Sequence, residues 1–159
     1  MAAVQPGRWT HQIPKDGELT VFLIGMRVNR WWRPDAWLPV AAAMGPMLAE
    51  LSRDPESGLL GYRTLLGARG VTLVQYWASP EKLYAYASDP SRAHRPAWAA
   101  YNRRLRRGIG AVGIWHETYP ARAAETIYGD MPPTGLGAAV GLRPITSHNA
   151  RARERLSAS

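Results

Sequence analysis

The spacing of apolar residues along the chain predicts four main strands. In the first, residues 19–28, apolar side chains occupy both alternating faces, which is typical of a strand that is buried on both sides. Two later runs flank Gly67-Ala-Arg-Gly70, whose glycines suit the tight turn of a hairpin. The predicted strands are residues 19–28, 59–66, 71–78 and 111–119, the last ended by Pro120, with a short fifth at 125–128.

Helical spacing of apolar residues predicts three helices between these strands. Asp35 is suited to cap the first helix, and Gly45-Pro46 inside it should bend it. Ser79 followed by a proline is a typical start for the second. The predicted helices are residues 36–53, 80–88 and 93–106.

This order of elements predicts an α+β domain with the ferredoxin-like, split βαβ arrangement and an antiparallel sheet. Helices cover one face of such a sheet, yet these strands are apolar on both faces. We therefore expect a second copy to pack sheet to sheet as a homodimer, with an apolar pocket between the sheet and the partner. The expected organisation is an N-terminal arm at 1–16, the domain at 17–130, and a Pro/Gly-rich C-terminal arm with a disordered tail at 131–159.

Composition narrows the class of protein. The 159 residues are 46% hydrophobic and 20% charged, as in one folded globular domain. Cysteine is absent, which excludes disulfides, thiolate metal sites and cysteine nucleophiles. No apolar run reaches the length of a membrane span, and the first residues lack the pattern of a signal peptide. We expect a cytoplasmic protein with no membrane partner.

The net charge of +8 raises the possibility of nucleic-acid binding. Only Lys15 and Lys82 of the twenty basic residues are lysine, a bias typical of a high-GC genome. The densest arginine cluster, at 103–107, lies at the end of the third predicted helix, where cations offset the helix dipole. We therefore expect a small-molecule substrate and no nucleic-acid partner.

Six segments, in order along the chain, carry recognisable motifs: Val21–Val28, Pro55–Arg63, Val74–Trp77, His94–Trp98, Gly113–Tyr119 and Met131–Gly137. Together they resemble a family of small monooxygenase-like proteins found in fungal polyketide pathways and in many bacterial genomes. The resemblance runs from about Pro6 to Thr146. It implies a branch of the dimeric α+β barrel superfamily, which includes antibiotic biosynthesis monooxygenases and several haem proteins. Because that superfamily hosts several chemistries, the fold alone does not give the function.

Two histidines are the candidate catalytic groups. His116 lies within the last main strand, where an imidazole facing an apolar cavity could act as a base or as an axial haem ligand. The alternative is a structural histidine that bonds a neighbouring backbone group or Glu117. His94, near the start of the third helix, has the same two possible roles, or it only packs or caps there.

Large rings and mid-strand polar groups are the candidate substrate contacts. The chain has seven Trp and seven Tyr against one Phe, and such rings could stack on a planar ligand or simply fill the core and the dimer interface. Two arginines in apolar strands need either a carboxylate partner, Glu117 or Glu125, or an anionic ligand. The candidates are Trp77, Trp98, Trp115, Tyr101, Arg63 and Gln75 for binding, and Arg27 for steadying a developing anion.

Three hypotheses for function follow. The first is an oxygenase that requires no cofactor, deprotonates an aromatic or polyketide-type secondary metabolite and lets it react with dioxygen. The second is a haem enzyme acting on a peroxide, oxime or N-oxide, with His94 or His116 as ligand. The third is a noncatalytic dimer that holds an apolar ligand. No phosphate-binding loop, metal-ligand cluster or Gly-x-Ser-x-Gly motif is present in the sequence.

Overall fold

The computed structural model describes residues 3–12, 18–92, 99–103 and 110–157. These residues form two antiparallel sheets with helices on both sides of the larger one. Short 3₁₀ turns lie at Pro55–Ser57 and Ser147–Asn149. The elements in chain order are β1 (Gln5–His11), β2 (Leu19–Val28), α1 (Pro34–Arg53), β3 (Leu59–Gly67), β4 (Gly70–Trp77), α2 (Pro80–Ser88), α3 (99–103), β5 (Val112–Ala121), β6 (Tyr128–Met131), α4 (Gly135–Val140), β7 (Leu142–Pro144) and α5 (Ala152–Ser157).

The larger sheet has four strands in the order β3-β4-β2-β5, and every neighbouring pair is antiparallel. This is the strand order of the ferredoxin-like, split βαβ arrangement, so the predicted α+β fold class is confirmed. In the central strand, Leu23 pairs with Val74 on one side and with Glu117 on the other. These registers decide which side chains share each face of the sheet.

One face of the larger sheet packs against α1, α2 and α3. Met26 on this face belongs to a buried cluster with Tyr101 of α3, and Val40 of α1 packs against it. Trp77, at the other end of the sheet, is buried with Leu51 of α1 and Leu83 of α2. The helices therefore close this face at both ends.

The opposite face is partly covered by the chain itself. A Cβ atom built on Gly61 of β3 would lie 2.9 Å from the Cβ of Ala139 in α4, so the helix rests directly on the strand. Tyr76 of β4 accepts a hydrogen bond from the backbone N–H of Leu136, and burial raises the pKa of its phenol. The Gly-Leu-Gly-Ala-Ala-Val sequence of α4 is small and apolar, so this part of the expected C-terminal arm can pack closely on the sheet.

A second sheet, of order β6-β1-β7, takes β1 and β7 from the expected arms, whereas β6 begins at Tyr128, the last residue of the predicted short fifth strand. Trp9 in β1 pairs with Tyr128 of β6 on one side and Pro144 of β7 on the other. The short polar strands, with a glycine at φ 90° at Gly7, lack the alternation that marks a strand in sequence. Only their mutual pairing identifies them.

The expected disordered tail instead contains the helix α5, which is held by the side chain of Arg155. This side chain is 4% exposed; its Nε donates to Glu125 Oε1 at 2.6 Å, and its Nη1 donates to the carbonyl of Ala150 at 2.8 Å. A buried guanidinium needs partners of this kind. Because Glu125 lies 30 residues earlier in the chain, the Arg-rich composition of the segment did not reveal this ion pair.

Several element boundaries also differ from the prediction. The first helix begins at Pro34 with Arg33 as its N-cap residue, and the Asp35 carboxylate instead binds the Arg33 guanidinium at 2.7 Å. The strand β5 continues through Pro120, because in the larger sheet it is an edge strand and a proline there loses no ladder bond. Of the third predicted helix, residues 99–103 are helical and the rest lie outside the described residues. No described helix combines the length and the apolar character needed to cross a bilayer.

His11 is the most deeply buried titratable group of the second sheet, with 1% of its surface exposed. The Thr126 hydroxyl accepts a hydrogen bond from the His11 backbone N–H at 3.0 Å and also lies 3.0 Å from the imidazole Nδ1. Burial lowers the pKa of His11, and the nearby charge of Arg143 lowers it further. The folded chain therefore disfavours the protonated form of this imidazole.

We expect the free energy of unfolding to fall as the pH is lowered below about 6.5, where His11 takes up a proton more readily in the unfolded chain than in the folded one. Above that pH the imidazole is neutral in both states and contributes no slope. Urea unfolding at about pH 8 and about pH 5.5 measures the difference. The variant His11→Gln should show a smaller loss over the same interval; an equal loss would show that other groups cause it.

Candidate functional site

A cavity of about 400 Å³ lies between the helix-covered face of the larger sheet and the helices, within the usual size range of small-molecule sites. The sheet forms one wall, and α1, with contributions from α2 and α3, forms the other. The main apolar lining residues are Phe22, Ile24, Leu73 and Ile114 from the sheet, and Met44, Met47 and Leu48 from α1.

This position corrects the expectation that the pocket lies between the sheet and a second copy. The cavity is enclosed by one chain, on the face away from the one proposed for the partner. The helices leave space because small side chains face the sheet at Ala43, Ala87 and Ala100. A sheet-facing helix with larger residues at these positions would fill the gap.

His116 lies at the mouth of the cavity. It is part of the lining, on the edge strand β5, yet its surface is exposed. Its ring lies 5.7 Å from the ring of Phe22, tilted by 41°. The imidazole can therefore meet both solvent and a ligand that lies over Phe22.

Gln75 and Trp77 lie side by side on β4 and both line the cavity. The indole Nε1 of Trp77 donates a hydrogen bond to Gln75 Oε1 at 2.9 Å. Gln75 is 6% exposed and Trp77 is 1% exposed. The pair places a polar amide in an otherwise apolar wall.

Two buried tyrosines belong to the described lining near the helices. Tyr101 is buried in α3, and Tyr86 of α2 lies 6.0 Å from the Trp77 ring, centroid to centroid. Burial, with a further contribution from Glu50, raises the pKa of Tyr86 to about 12. Its phenol stays protonated at neutral pH, so it is a poor base there.

The structure thus brings together four of the sequence-predicted site residues: His116, Gln75, Trp77 and Tyr101. Trp115, expected in the cavity, lies on the opposite face, where its indole covers Gly25 so closely that a Cβ there would be 2.6 Å from the Trp115 Nε1. Arg27 and Arg63 are exposed and do not line the cavity. His94 and Trp98 lie outside the described residues.

The methionine and leucine wall supplied by α1 was not among the predicted site residues. Met44, Met47 and Leu48 belong to the apolar stripe whose helical spacing predicts the first helix. That stripe was the available signal, because the residues that face a sheet are also those that can line a gap above it.

Among the described residues, no three histidine or acidic side chains lie close enough together to hold a metal ion. Of the two histidines predicted as haem ligands, His116 lies at the exposed mouth and His94 is outside the described ranges.

A larger side chain inside the cavity should block ligand binding. We expect Ala43→Phe to weaken binding of the apolar dye 1-anilinonaphthalene-8-sulfonate by roughly tenfold or more, because the ring takes up space that a ligand needs. Dye fluorescence measures the affinity, and circular dichroism checks the fold. Ala42→Phe, at the adjacent exposed position of α1, is the matched control. Equal dye binding by both variants would place the dye elsewhere.

Three solved structures resemble the chain, each with low identity. SnoaB, a cofactor-independent oxygenase from Streptomyces nogalater, is 14% identical, with a TM-score of 0.47 over 66% of this chain and 94% of SnoaB. A Chloroflexus aurantiacus protein described as an antibiotic biosynthesis monooxygenase is 18% identical, with a TM-score of 0.42 over 65% and 92%. The Mycobacterium tuberculosis protein Rv0793 is 19% identical, with a TM-score of 0.45 over 62% and 92%.

A search of curated proteins finds no match. A family model described as Monooxygenase af470-like matches residues 19–136, which span the larger sheet and the helices around the cavity. The resemblance seen in the sequence is thereby confirmed. The chain belongs to the Monooxygenase af470-like family.

Proposed function

We propose that this chain is an oxygenase that binds an aromatic or polyketide-type substrate in its cavity and requires no cofactor. The observation that carries the proposal is the His116 imidazole at the mouth of an otherwise apolar cavity, next to the Phe22 ring. Membership of a monooxygenase-like family supports the reaction class. The size and the apolar walls of the cavity favour a planar hydrophobic molecule.

In the proposed reaction, His116 acts as a general base on an acidic C–H group of the bound substrate. The carbanion that forms is conjugated with the aromatic system and reacts directly with dioxygen. For a ring methylene, one oxygen atom becomes the product ketone and the other leaves as water. The substrate supplies all four electrons, so no external reductant is needed.

The other cavity residues have binding roles in this proposal. Trp77 and Tyr101 offer ring surfaces, and the Gln75 amide is the polar group of the sheet wall. The neutral Tyr86 does not compete with His116 for the proton. Arg27 and Arg63 are left out, since neither reaches the cavity.

Dioxygen uptake with anthrone, whose methylene is acidic because its carbanion is conjugated with the ring ketone, tests the proposal. We expect uptake to yield anthraquinone and water, and His116→Gln to slow it by roughly 10²–10⁴-fold, the usual contribution of a general base. His148→Gln, at an exposed histidine away from the cavity, should keep the wild-type rate.

Full activity of His116→Gln would remove this residue from the mechanism. Saturable binding of anthrone without any uptake would favour the noncatalytic ligand-binding protein instead.

The proposal also includes a homodimer formed through the uncovered part of the second sheet face. Val21 and Leu23 are half-buried there, and Trp115 and Tyr119 remain 38% and 52% exposed. Because α4 covers only the side of this face near β3 and β4, a second copy is the simplest cover for the rest.

We expect sedimentation velocity to give twice the 17.6 kDa chain mass, and Trp115→Arg to give the monomer, since an unpaired charge at a packed face is costly. Trp32→Arg is the control, because Trp32 is 75% exposed in the loop before α1. A wild-type monomer would refute the dimer and leave the cavity proposal standing.

A further inference from the structure

We infer that Gln75 recognises an acceptor oxygen of the substrate, a carbonyl or an enolate, and that Trp77 is the positioning residue that makes it do so. The inference rests on the proposed function, because it needs an aromatic substrate in the cavity. It adds a requirement on that substrate, since a purely hydrocarbon ring system would leave the Gln75 amide without a partner.

The hydrogen bond between Trp77 and Gln75 fixes the orientation of the Gln75 amide. An indole N–H can only donate, so the atom of Gln75 that lies 2.9 Å from Trp77 Nε1 must be the amide oxygen. The usual ambiguity between the oxygen and nitrogen of a glutamine side chain is absent here. Trp77 is itself held between Leu51 and Leu83 in a buried cluster, so the donor cannot easily move.

The amide nitrogen of Gln75 can donate hydrogen bonds to a ligand in the cavity. It makes no hydrogen bond with any described residue. It is also not one of the buried polar atoms that lack a partner, so solvent can still reach it. Its cavity neighbours are Phe22 of β2 and Leu73 of its own strand, which offer no acceptor. Its partner on β3 is Tyr62, which is exposed and lies outside the cavity lining. Two N–H donors in an apolar wall favour a ligand that brings an oxygen acceptor.

The register of the sheet separates this contact from the proposed base. Phe22 of the central strand pairs with Gln75 on β4, whereas His116 on β5 pairs with the next residue of the same face, Ile24. Two strand spacings and a two-residue step separate the Cα atoms of Gln75 and His116 by roughly 12 Å. The acceptor oxygen held by Gln75 and the proton taken by His116 therefore belong to different parts of one substrate.

Two tricyclic probes of matched shape test the inference. 9-Fluorenone carries a ring carbonyl, and fluorene has a methylene in its place. We expect isothermal titration to show that the wild-type chain binds fluorenone roughly tenfold more tightly than fluorene, the effect of one hydrogen bond in an apolar site. Gln75→Met keeps the length of the side chain but has no donor, so the two probes should then bind alike.

Trp77→Phe provides a second readout in case Gln75→Met folds poorly. Without the indole N–H, the amide can turn its oxygen toward the cavity, so the affinity for fluorenone should fall several-fold more than the affinity for fluorene. A purely structural role for Trp77 would weaken both probes equally. Gln12→Met makes the same substitution at an exposed glutamine outside the cavity and should keep the wild-type preference.

The outcomes separate this inference from the proposed function. Equal binding of fluorenone and fluorene to the wild-type chain would overturn the role of Gln75, while the binding itself would support an aromatic site. A preference for fluorenone that survives in Gln75→Met would also overturn it. Binding of neither probe, together with no oxidation of anthrone, would refute the proposed function and this inference with it.

Discussion

The structure depends on one strand that must be buried on both faces. Side chains at Phe22, Ile24 and Met26 point to one side of β2, and those at Val21 and Leu23 point to the other. Burying the first set requires the helices, and burying the second requires α4 and the proposed second copy. The two faces thereby acquire different uses, one for a cavity and one for packing.

The cavity exists because the helix-covered face is closed at its two ends and left open in its middle. The clusters around Met26 and around Trp77 fix the helices at the ends of the sheet. Between them, alanines on the helices leave the gap. The polar groups then lie at defined positions, with Gln75 in the wall and His116 at the edge where β5 ends the sheet. An apolar space with so few polar groups selects ligands by shape and by a small number of hydrogen bonds.

Much of the larger sheet could be predicted from the sequence because its signals are local. The hairpin between β3 and β4 and the Ser79 cap of α2 each depend on a few adjacent residues, and both are present. Alternation along β5 placed His116 with Ile114 and Thr118, as the structure has it. The same alternation implies that Trp115, its neighbour, must face away, so the two could not share one cavity.

The remaining features depend on contacts between distant parts of the chain. The strands β1, β6 and β7 are short and stabilised by each other, and α5 is held by the ion pair of Arg155 with Glu125. Nothing in the local sequence of these segments distinguishes them from loops. The position of the cavity was unpredictable for a similar reason, because a gap results from the relative sizes of side chains on elements that meet only in the fold.

Methionine methyl NMR tests the central claim, that ligands bind between the sheet and the helices. The chain has five methionines, of which Met26, Met44 and Met47 line the cavity; Met131 lies exposed in β6. Titration with fluorene should shift the signals of the three cavity methionines and leave that of Met131 in place. Shifts confined to Met131, or no shift at Met26, Met44 and Met47 despite measured binding, would contradict the account.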